Sequence, residues 1–391
     1  MPDFVAPGTS VEEGSFRSET IDGVGTSTAA FVGETQAGPA ERGLELLTSV
    51  IDFERHYGGG IDLIHSDGTR TPNFVWHAAR AFFANGGRRL YVARTSRADG
   101  QPPEITDFTA ALAQLEHAPE PAIVAAPGAT FRYDQERPDP GARIRALLDH
   151  AALVKNRFAV IDCGDEQSTA AVTAMRASFD SAFGALYYPW VRVADPNSGR
   201  DLHLPPSGFV SGIYARVDLN RGVWKAPANE ALVLATGLER EISHSEQGPL
   251  NAVHVNCLRH IPGRGVLILG ARTLSSDPEW KYVPVRRLLL FLESSVDRGL
   301  QWVVFEPNDD KLWAQVRRVV EDFLLSQWRA GALTGSRPEE AFFVRCDGTT
   351  MTQTDLDSGR LVCFVGVAPV RPAEFVVFRI GQWTADKKPQ F

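Results

Sequence analysis

The sequence predicts a mixed α/β protein with a separate α/β unit in its middle third and arm-like segments at its ends. The chain has 391 residues, which exceeds the size of one ordinary core. Strand-like and helix-like segments alternate in its middle third, as in proteins with a mostly parallel sheet. An apolar segment at 374–380 lies almost at the chain end, where most domains are frayed and polar. The core is expected to combine a mixed sheet with packed helices.

The composition predicts a soluble globular protein and argues against several functional classes. Hydrophobic residues make up 43% of the chain and charged residues 23%. The net charge of −8 disfavours nucleic-acid binding, which needs a basic face to neutralise phosphates. Neither a secretory signal nor a membrane span is expected, because no basic N-terminal region precedes an apolar run and no apolar stretch is long enough. The four scattered cysteines form no C-x-x-C pair, which favours free thiols over a zinc site.

The first quarter of the chain predicts an arm followed by strands and a helix. Residues 1–22 resemble an arm, and a first strand is expected at 29–33. A helix is expected at about 71–85, because Phe74, Ala78 and Phe82 share one face and glycines follow its end. A buried strand is expected at 90–94.

The middle of the chain predicts a strand–helix alternation that begins after a linker near residue 96. Each helix carries an apolar stripe, and each strand is a short apolar run, which favours parallel pairing. The expected strands are 122–126, 158–162 and 185–193, and the expected helices are about 142–155 and 168–182.

The last third predicts two long helices and several strands. The strongest helix, about 310–329, follows the polar residues Asn308 and Asp309, which are suited to cap it. An earlier helix is expected at 285–296, with Gly299 just past its end. The expected strands are 266–270, 302–306, 341–346, 361–367 and 374–380.

Motifs of common enzyme classes are absent from the sequence. It contains no P-loop, no complete dinucleotide fingerprint, no G-x-S-x-G elbow and no H-E-x-x-H. His254 and His260 are six residues apart, which does not place two metal ligands on one helix face. The best enzyme-like position is Asp162, at the carboxyl end of a strand, where open α/β sheets bind ligands. The preferred interpretation is a polar loop capping the next helix, because no base, nucleophile or phosphate loop accompanies it.

Several segments, in the right order across almost the full chain, resemble the tail sheath family of contractile phage tails and related injection systems. Residues 7–13 resemble that family's P-G-V-Y-V-E-E strand, although Thr9-Ser10 stands where the family often has V-Y. Residues 96–200 match least. The other matching segments are 23–33, 83–87, 206–208, 212–218, 222–229, 256–259, 270–275, 304–309 and 368–375.

The resemblance implies domains, a function and partners. Residues 23–95 and 205–370 would form a discontinuous, tube-facing core domain, 96–204 an inserted outer α/β domain, and 1–22 and 371–391 the extended arms. The implied function is a structural sheath subunit that polymerises as stacked hexameric rings around an inner tube. It would contract by subunit rearrangement and drive the tube through a target envelope. The implied partners are copies of itself, the inner tail tube, the baseplate and tail-terminator or cap proteins, without cofactor, metal, nucleic acid or membrane insertion.

The resemblance also implies that both arms lend strands to neighbouring subunits. The residues expected in this exchange are Phe4, Val5, Val11, Glu12, Glu13, Phe375, Val377, Phe378 and Arg379. Exposed faces of the two late helices are expected to contact an acidic tube, and the candidates are Arg286, Arg287, Lys311, Arg317 and Arg318. Residues 1–22 carry five acids and one arginine, a net −4, and residues 371–391 carry four basic residues and two acids, a net +2. This asymmetry favours a sheet shared by the two arms, with plain surface charge as the alternative.

Other interpretations stay open at this point. The chain is either the sheath subunit, a cytoplasmic α/β enzyme acting near Asp162, or a scaffold or shell protein that does not contract. Residues 373–380 either belong to the arm or complete the subunit's own sheet, which would leave 381–391 as the arm. A sheath subunit would assemble in the bacterial cytoplasm and leave within a phage tail or a phage-tail-like particle, released by lysis.

Overall fold

The computed structural model describes residues 20–38, 44–97, 99–135 and 140–375. These residues form a mixed α/β fold in which helices pack around β-sheets. The strands, in chain order, are β1 (Ala29–Gly33), β2 (Leu63–Ile64), β3 (Arg70–Thr71), β4 (Leu90–Arg94), β5 (Ile123–Ala125), β6 (Phe158–Asp162), β7 (Gly184–Tyr188), β8 (Val191–Ala194), β9 (Asp201–Leu204), β10 (Gly237–Leu238), β11 (Val255–Ile261), β12 (Gly265–Leu269), β13 (Phe342–Arg345) and β14 (Phe364–Val367). The helices are α1 (Val50–Tyr57), α2 (Phe74–Ala84), α3 (Ile105–Glu116), α4 (Pro140–Val154), α5 (Thr169–Ala177), α6 (Ser207–Arg221), α7 (His244–Ala252), α8 (Val283–Gly299), α9 (Asp310–Arg329), α10 (Pro338–Ala341) and α11 (Gln353–Asp357).

Seven strands of the described residues form one sheet, the large sheet, in the order β12-β11-β7-β6-β5-β1-β4. The strands from β11 to β4 run parallel, and the edge strand β12 is antiparallel to β11. β6 and β7 are buried along their whole length, which requires cover on both faces of the sheet. The mostly parallel sheet that the middle of the sequence predicted is therefore confirmed.

The large sheet crosses the domain boundary that the sequence predicted near residue 96. Ala29 of β1 pairs with Leu90 of β4 on one side and with Ile123 of β5 on the other. β1, β4, β11 and β12 come from the predicted core, whereas β5, β6 and β7 come from the predicted insertion. Residues 96–204 thus supply the middle strands of a sheet that they share with the predicted core. The predicted boundary therefore does not divide two separate sheets.

A division between two hydrophobic clusters lies instead along helix α8. The first cluster surrounds the large sheet, and the second is built around α9. Helix α8 lies between them, since Leu290 packs in the first cluster and Leu288 in the second. Residues 29–274 are called the body below, and residues 300–370 the tail unit.

Helix α6 runs through the body and is buried over most of its length. It packs closely on α2, and two glycines make this approach possible. A Cβ atom at Gly208 would lie 2.6 Å from the Ala78 Cα, and one at Gly212 would lie 2.5 Å from the Phe82 carbonyl oxygen. Both distances are below ordinary van der Waals contact, so a larger residue at either position would push the two helices apart.

Three local predictions differ from the structure. The expected strand at 302–306 is a 3₁₀ turn followed by irregular chain, in which Phe305 is fully exposed and has a φ of 72°. No neighbouring strand pairs with this segment in the described chain, and its short apolar run alone does not make a strand. The expected strand at 185–193 is divided into β7 and β8, because Pro189 has no N–H to donate to a ladder. The helix expected at 168–182 ends at Ala177.

The prediction for the longest helix is confirmed to the residue. Helix α9 spans Asp310–Arg329, and Asp309 is its N-cap. One carboxylate oxygen of Asp309 accepts hydrogen bonds from the backbone N–H groups of Lys311 and Leu312, each at 3.0 Å. The strand expected at 374–380 lies mostly outside the described residues, and the described Glu374 and Phe375 are not part of a strand.

Candidate functional site

The carboxyl group of Asp162, the enzyme-like position of the sequence, is closed inside the body. One of its oxygens accepts the Ser207 N–H at 2.6 Å, and the other accepts the Ser207 hydroxyl at 2.7 Å. Burial raises the pKa of Asp162 to about 7, although these two hydrogen bonds oppose the shift. Asp162 is therefore a polar cap for the start of α6. The sequence predicted a cap on the next helix, but that helix, α5, is capped by Ser168.

Other chemistry is limited in the part of the chain that the structure describes. Within residues 20–38, 44–97, 99–135 and 140–375, no three histidine, cysteine or acidic side chains are grouped to hold a metal ion. In the same ranges, no helix has the length and apolar character needed to cross a membrane. His254 Nδ1 lies 3.1 Å from the Thr273 carbonyl oxygen, so this ring is engaged with the backbone.

The C-terminal segment is fastened to the body at Glu374, an arrangement called the C-terminal anchor below. Arg272 donates two hydrogen bonds to the Glu374 carboxylate, from Nε at 2.8 Å and from a terminal nitrogen at 2.7 Å. Asn251 donates a third at 2.9 Å, and the Tyr282 hydroxyl donates a fourth at 3.3 Å. Bidentate arginine–carboxylate pairs combine charge with fixed geometry. The anchor therefore fixes both the position and the direction of the chain at residue 374.

The C-terminal anchor is a largely buried ion pair. The Arg272 side chain is 7% exposed and that of Glu374 is 19% exposed. Burial alone would raise the pKa of Glu374, but the hydrogen bonds from Arg272 and Asn251, with the charge of Arg272, lower it below its usual value. Glu374 is therefore ionised at neutral pH. Phe375, the next residue, is 73% exposed and lines an open groove of about 1020 Å³ beside the anchor.

The start of the described chain is fastened to helix α8. Ile21 is 8% exposed and packs in the second cluster. The Val24 N–H donates to the Ser295 hydroxyl at 3.1 Å, and the Thr26 carbonyl accepts a hydrogen bond from Arg287 at 3.1 Å. The predicted N-terminal arm is therefore fastened to the subunit at Ile21. The predicted exchange residues that lie outside the described residues are Phe4, Val5, Val11, Glu12, Glu13, Val377, Phe378 and Arg379.

Two of the predicted tube-facing arginines are not on an exposed helix face. Arg286 is 7% exposed and Arg287 is 3% exposed, because α8 lies between the two hydrophobic clusters. Arg287 donates to both carboxylate oxygens of Asp218, at 2.9 and 2.6 Å. The Arg286 guanidinium lies over the Phe183 and Trp280 rings, 4.3 and 4.7 Å from their centroids. The expectation of exposure was wrong for both residues, which join α8 to the body.

The three candidates on α9 differ from these two. Lys311 and Arg318 are exposed, and Arg317 is half-buried. Arg318 lies 3.9 Å from Asp322, one turn further along the helix. These side chains stay available for contact with another protein, and tube contact remains a prediction for them.

Strands β13 and β14 form a small antiparallel sheet at the surface of the tail unit. Phe342 pairs with Val367, and Arg345 pairs with Phe364. One face packs on α9, whereas Phe343 on the other face is 60% exposed and Phe364 is 55% exposed. Exposed aromatic residues of this kind mark interaction surfaces when they are grouped.

Both edges of the β13–β14 sheet are open within the described chain. The Ala368 N–H donates to the Ala341 carbonyl, so the alternating ladder turns the backbone groups of Val344 and Val365 away from the partner strand. Neither the Val344 nor the Val365 N–H group donates a hydrogen bond to another described residue. Such an edge is a template for pairing with another chain.

The sequence did not predict the anchor, and it predicted the open sheet only as two separate strands. Arg272 lies inside a segment that resembled the sheath family, but nothing in the sequence connects it to Glu374, 102 residues later. The exposed Phe343 was detectable, because it alternates with Phe342 and Val344 in a strand pattern that carries apolar residues on both faces.

The class of protein follows from this architecture together with two family models. Residues 101–274 match the phage tail sheath protein central domain, and residues 275–382 match the phage tail sheath C-terminal domain. The boundary between the two models lies a few residues before helix α8, along which the two hydrophobic clusters divide. The fold therefore defines a structural protein of phage-type tails.

Comparisons with individual proteins agree with this class. The sheath complex of an extracellular contractile injection system (PVC), in its contracted state, is 30% identical, with a TM-score of 0.78 over 98% of this chain and 99% of that one. The contracted helical sheath of the anti-feeding prophage is also 30% identical, with a TM-score of 0.76 over 96% and 99% of the two chains. A putative prophage major tail sheath protein of Pseudomonas aeruginosa (strain UCBPP-PA14) is 23% identical over 68% of this chain and 67% of its own length.

The chain belongs to the contractile tail sheath family. It is a structural subunit of an oligomeric sheath and part of a phage tail or phage-tail-like particle. The family resemblance and the mixed α/β fold class that the sequence predicted are both confirmed.

Proposed function

We propose that this subunit polymerises as stacked hexameric rings around an inner tube and contracts by subunit rearrangement, driving the tube through a target envelope. The observation that carries the proposal is the open β13–β14 sheet, together with the anchor that fixes the chain at Glu374. Its partners are copies of itself, the inner tail tube, the baseplate and a terminator or cap protein. Assembly takes place in the bacterial cytoplasm and release follows lysis.

Strand addition supplies the energy that keeps neighbouring subunits connected. An isolated pair of strands is marginal in water, so a third strand gains the hydrogen bonds that Val344 or Val365 lacks within the described chain. At a net ~0.5–1.5 kcal/mol per hydrogen bond, a strand with about five bonds contributes a few kcal/mol. Burial of exposed Phe343 adds roughly 1.5–3 kcal/mol if it is complete. A connection of this strength holds while the subunits around it rotate.

The charges of the two terminal segments, residues 1–19 and 376–391, favour their pairing in the same sheet. Residues 1–19 carry four acids and one arginine, a net −3, and residues 376–391 carry three basic residues and one acid, a net +2. The opposite signs therefore persist beyond Ile21 and Glu374, the points where the described chain is fastened. Salt screens such attraction within about 10 Å at ~0.1 M ionic strength. Assembly yield is expected to fall as salt rises, and a yield that does not respond to salt would contradict a shared sheet.

The subunit acts without enzymatic chemistry of its own. Asp162 is enclosed by Ser207, which supports a structural role over the alternative of an enzyme site there. The work of contraction then comes from the packing of the extended sheath, since two packings of one sequence can differ by a few kcal/mol per subunit. Summed over stacked rings, that difference drives the tube.

Electron microscopy of the full chain, expressed with its tube protein and alone, tests this function. Long cylinders with a central tube, present in a longer narrow and a shorter wide form, are expected. A compact monomer under all conditions would contradict the sheath assembly. Cylinders of a single length and width under every trigger would instead support the alternative of a scaffold that does not contract.

A further inference from the structure

The tail unit contains two cysteines that face each other at the end of the β13–β14 sheet. The register pairs Arg345 with Phe364, so the next residues in the same register are Cys346 and Cys363. Because the Ala368 N–H bonds to the Ala341 carbonyl, the alternation of the ladder makes Cys346 and Cys363 a non-hydrogen-bonded pair. In such pairs the Cα atoms are ~4.5 Å apart, which is inside the range of ~4.4–6.8 Å that disulfides span.

Side-chain contacts hold the two thiols together beyond the last ladder bond. The Cys346 and Cys363 side chains are close enough that each shifts the pKa of the other. The Asp347 N–H donates to the Thr350 hydroxyl at 3.4 Å, and that hydroxyl donates to the Val362 carbonyl at 2.7 Å. This bridge stands where the next ladder bond would be, so the strands do not splay apart at the cysteines. The other two cysteines of the chain, Cys163 and Cys257, are completely buried in the body.

We propose that Cys346 and Cys363 are a modification site, which small-molecule disulfides oxidise to an intramolecular disulfide that staples the β13–β14 sheet. The half-buried Cys363 thiolate attacks one sulfur of the small disulfide, forming a mixed disulfide and releasing one thiolate. The Cys346 thiolate then attacks the Cys363 sulfur, which forms the intramolecular bond and releases the second thiolate. Two protein thiols are oxidised and one small disulfide is reduced to two thiols. The pair stays reduced in a reducing compartment and closes in an oxidising one.

The surroundings of the pair make this reaction slow at neutral pH. Burial, followed by the neighbouring Cys346, raises the pKa of Cys363 to about 12, and burial also raises the pKa of Cys346. Arg317 and Glu321 of α9 face the pair, together with Asp347. Since only the thiolate attacks, the disulfide is expected to form faster as the pH rises.

Peptide mapping of the full-length protein treated with oxidised glutathione at mildly alkaline pH tests this site. Trypsin cleaves after Arg345 and Arg360, so Cys346 and Cys363 fall on two different peptides. The expected product is one linked pair, 346–360 with 361–379, lighter by two hydrogen atoms than the sum of its peptides and separated by reduction. A protein that yields only glutathione adducts, or free thiols at both positions, would overturn the proposal.

A stability measurement separates a native disulfide from one formed in unfolded chains. The melting temperature of the oxidised protein should exceed that of the reduced protein by several degrees, because the bond closes a loop in the unfolded chain. The Cys363→Ser variant should show no such rise under the same treatment. Links that include Cys163 or Cys257 in comparable yield would mean that unfolded protein had reacted, and this too would overturn the proposal.

Discussion

The large sheet and the β13–β14 sheet differ in how far their apolar faces are covered and their backbone hydrogen bonds are made within one chain. β6 and β7 of the large sheet are buried along their whole length, and their hydrogen bonds are made inside one chain. In the β13–β14 sheet, Phe343 is 60% exposed and the Val344 N–H has no partner within the described chain. The sheet of the body is therefore closed within one subunit, whereas the tail unit presents a sheet with an open edge and an exposed face that another chain can cover. Stability and assembly are thus assigned to different regions, and mutations can separate them.

The largest expected effect comes from removing either terminal segment, because this should abolish assembly and leave the body intact. Deletion of residues 1–19 or of residues 376–391 should eliminate cylinders in electron micrographs. The fastened residues Ile21 and Glu374 remain in both deletions, so the unfolding free energy should change little. Cylinders that form normally after either deletion would contradict strand exchange by that arm.

The second effect concerns the junction between the two regions. Arg287→Ala leaves the Asp218 carboxylate, whose side chain is 1% exposed, without its partner. Removal of one member of a buried ion pair costs about 3–5 kcal/mol of unfolding free energy, which urea denaturation measures. Arg318→Ala on the exposed face of α9 is the matched control and should change little. Equal effects of the two substitutions would mean that α8 does not join the body as described.

The third effect is a weakened anchor with an intact fold. Glu374→Gln removes the charge that holds Arg272, and we expect a loss of about 1.5–3 kcal/mol in unfolding free energy. Tyr282→Phe, which removes only the 3.3 Å hydrogen bond, should cost less. Limited proteolysis should cleave the variant faster near residue 374 than the wild type. Identical proteolysis of variant and wild type would show that the anchor does not hold the segment in solution.

Acid should have the same effect as this substitution. The folded pKa of Glu374 is below its ordinary value of 4.5, so its contribution is complete above about pH 4.5 and is lost as the pH falls through the folded value. Proteolysis near residue 374 should therefore accelerate in wild-type protein below about pH 4.5 and stay nearly constant in Glu374→Gln.

The smallest effect tests whether the body is as closed as its large sheet suggests. The pKa of Asp162 is raised from 3.8 to about 7, so its stabilising, protonated form is complete below about pH 3.8 and is lost as the pH rises towards 7. Asp162→Asn should change the unfolding free energy by less than about 1 kcal/mol at pH 5 and flatten its fall towards pH 7. Urea titrations across this range measure the slope. Part of the slope will remain in the variant, because burial also raises the pKa values of Glu34 and Glu239 to about 7. An unchanged slope would place the Asp162 carboxyl in contact with water.

The elements that the sequence predicted well are those with a local cause. Helix α9 was predicted to the residue, because Asp309 and the apolar stripe that follows act within one turn of each other. The parallel strands of the body were also predictable, since their continuous apolar runs reflect burial on both faces.

The features that the sequence did not predict depend on distant partners. Arg286 and Arg287 resemble surface charges until α8 is placed between two hydrophobic clusters, and Glu374 resembles an ordinary arm residue until Arg272 is placed beside it. The domain boundary at 96 was inferred from a change in sequence texture, whereas the hydrogen bonds of β1 to both β4 and β5 cross it. Pairing between segments far apart in the chain leaves no periodicity to read.

The C-terminal anchor also decides where a pull on the arm is felt. Glu374 lies beyond β14 in the chain, and Arg272 follows the edge strand β12 of the large sheet by three residues. Tension on the arm therefore enters the large sheet at its edge before it can reach the hydrogen bonds of β14. If a neighbouring subunit pulled on this arm during a rearrangement, the whole body would move with it. The hydrogen bonds between β13 and β14 would then stay intact.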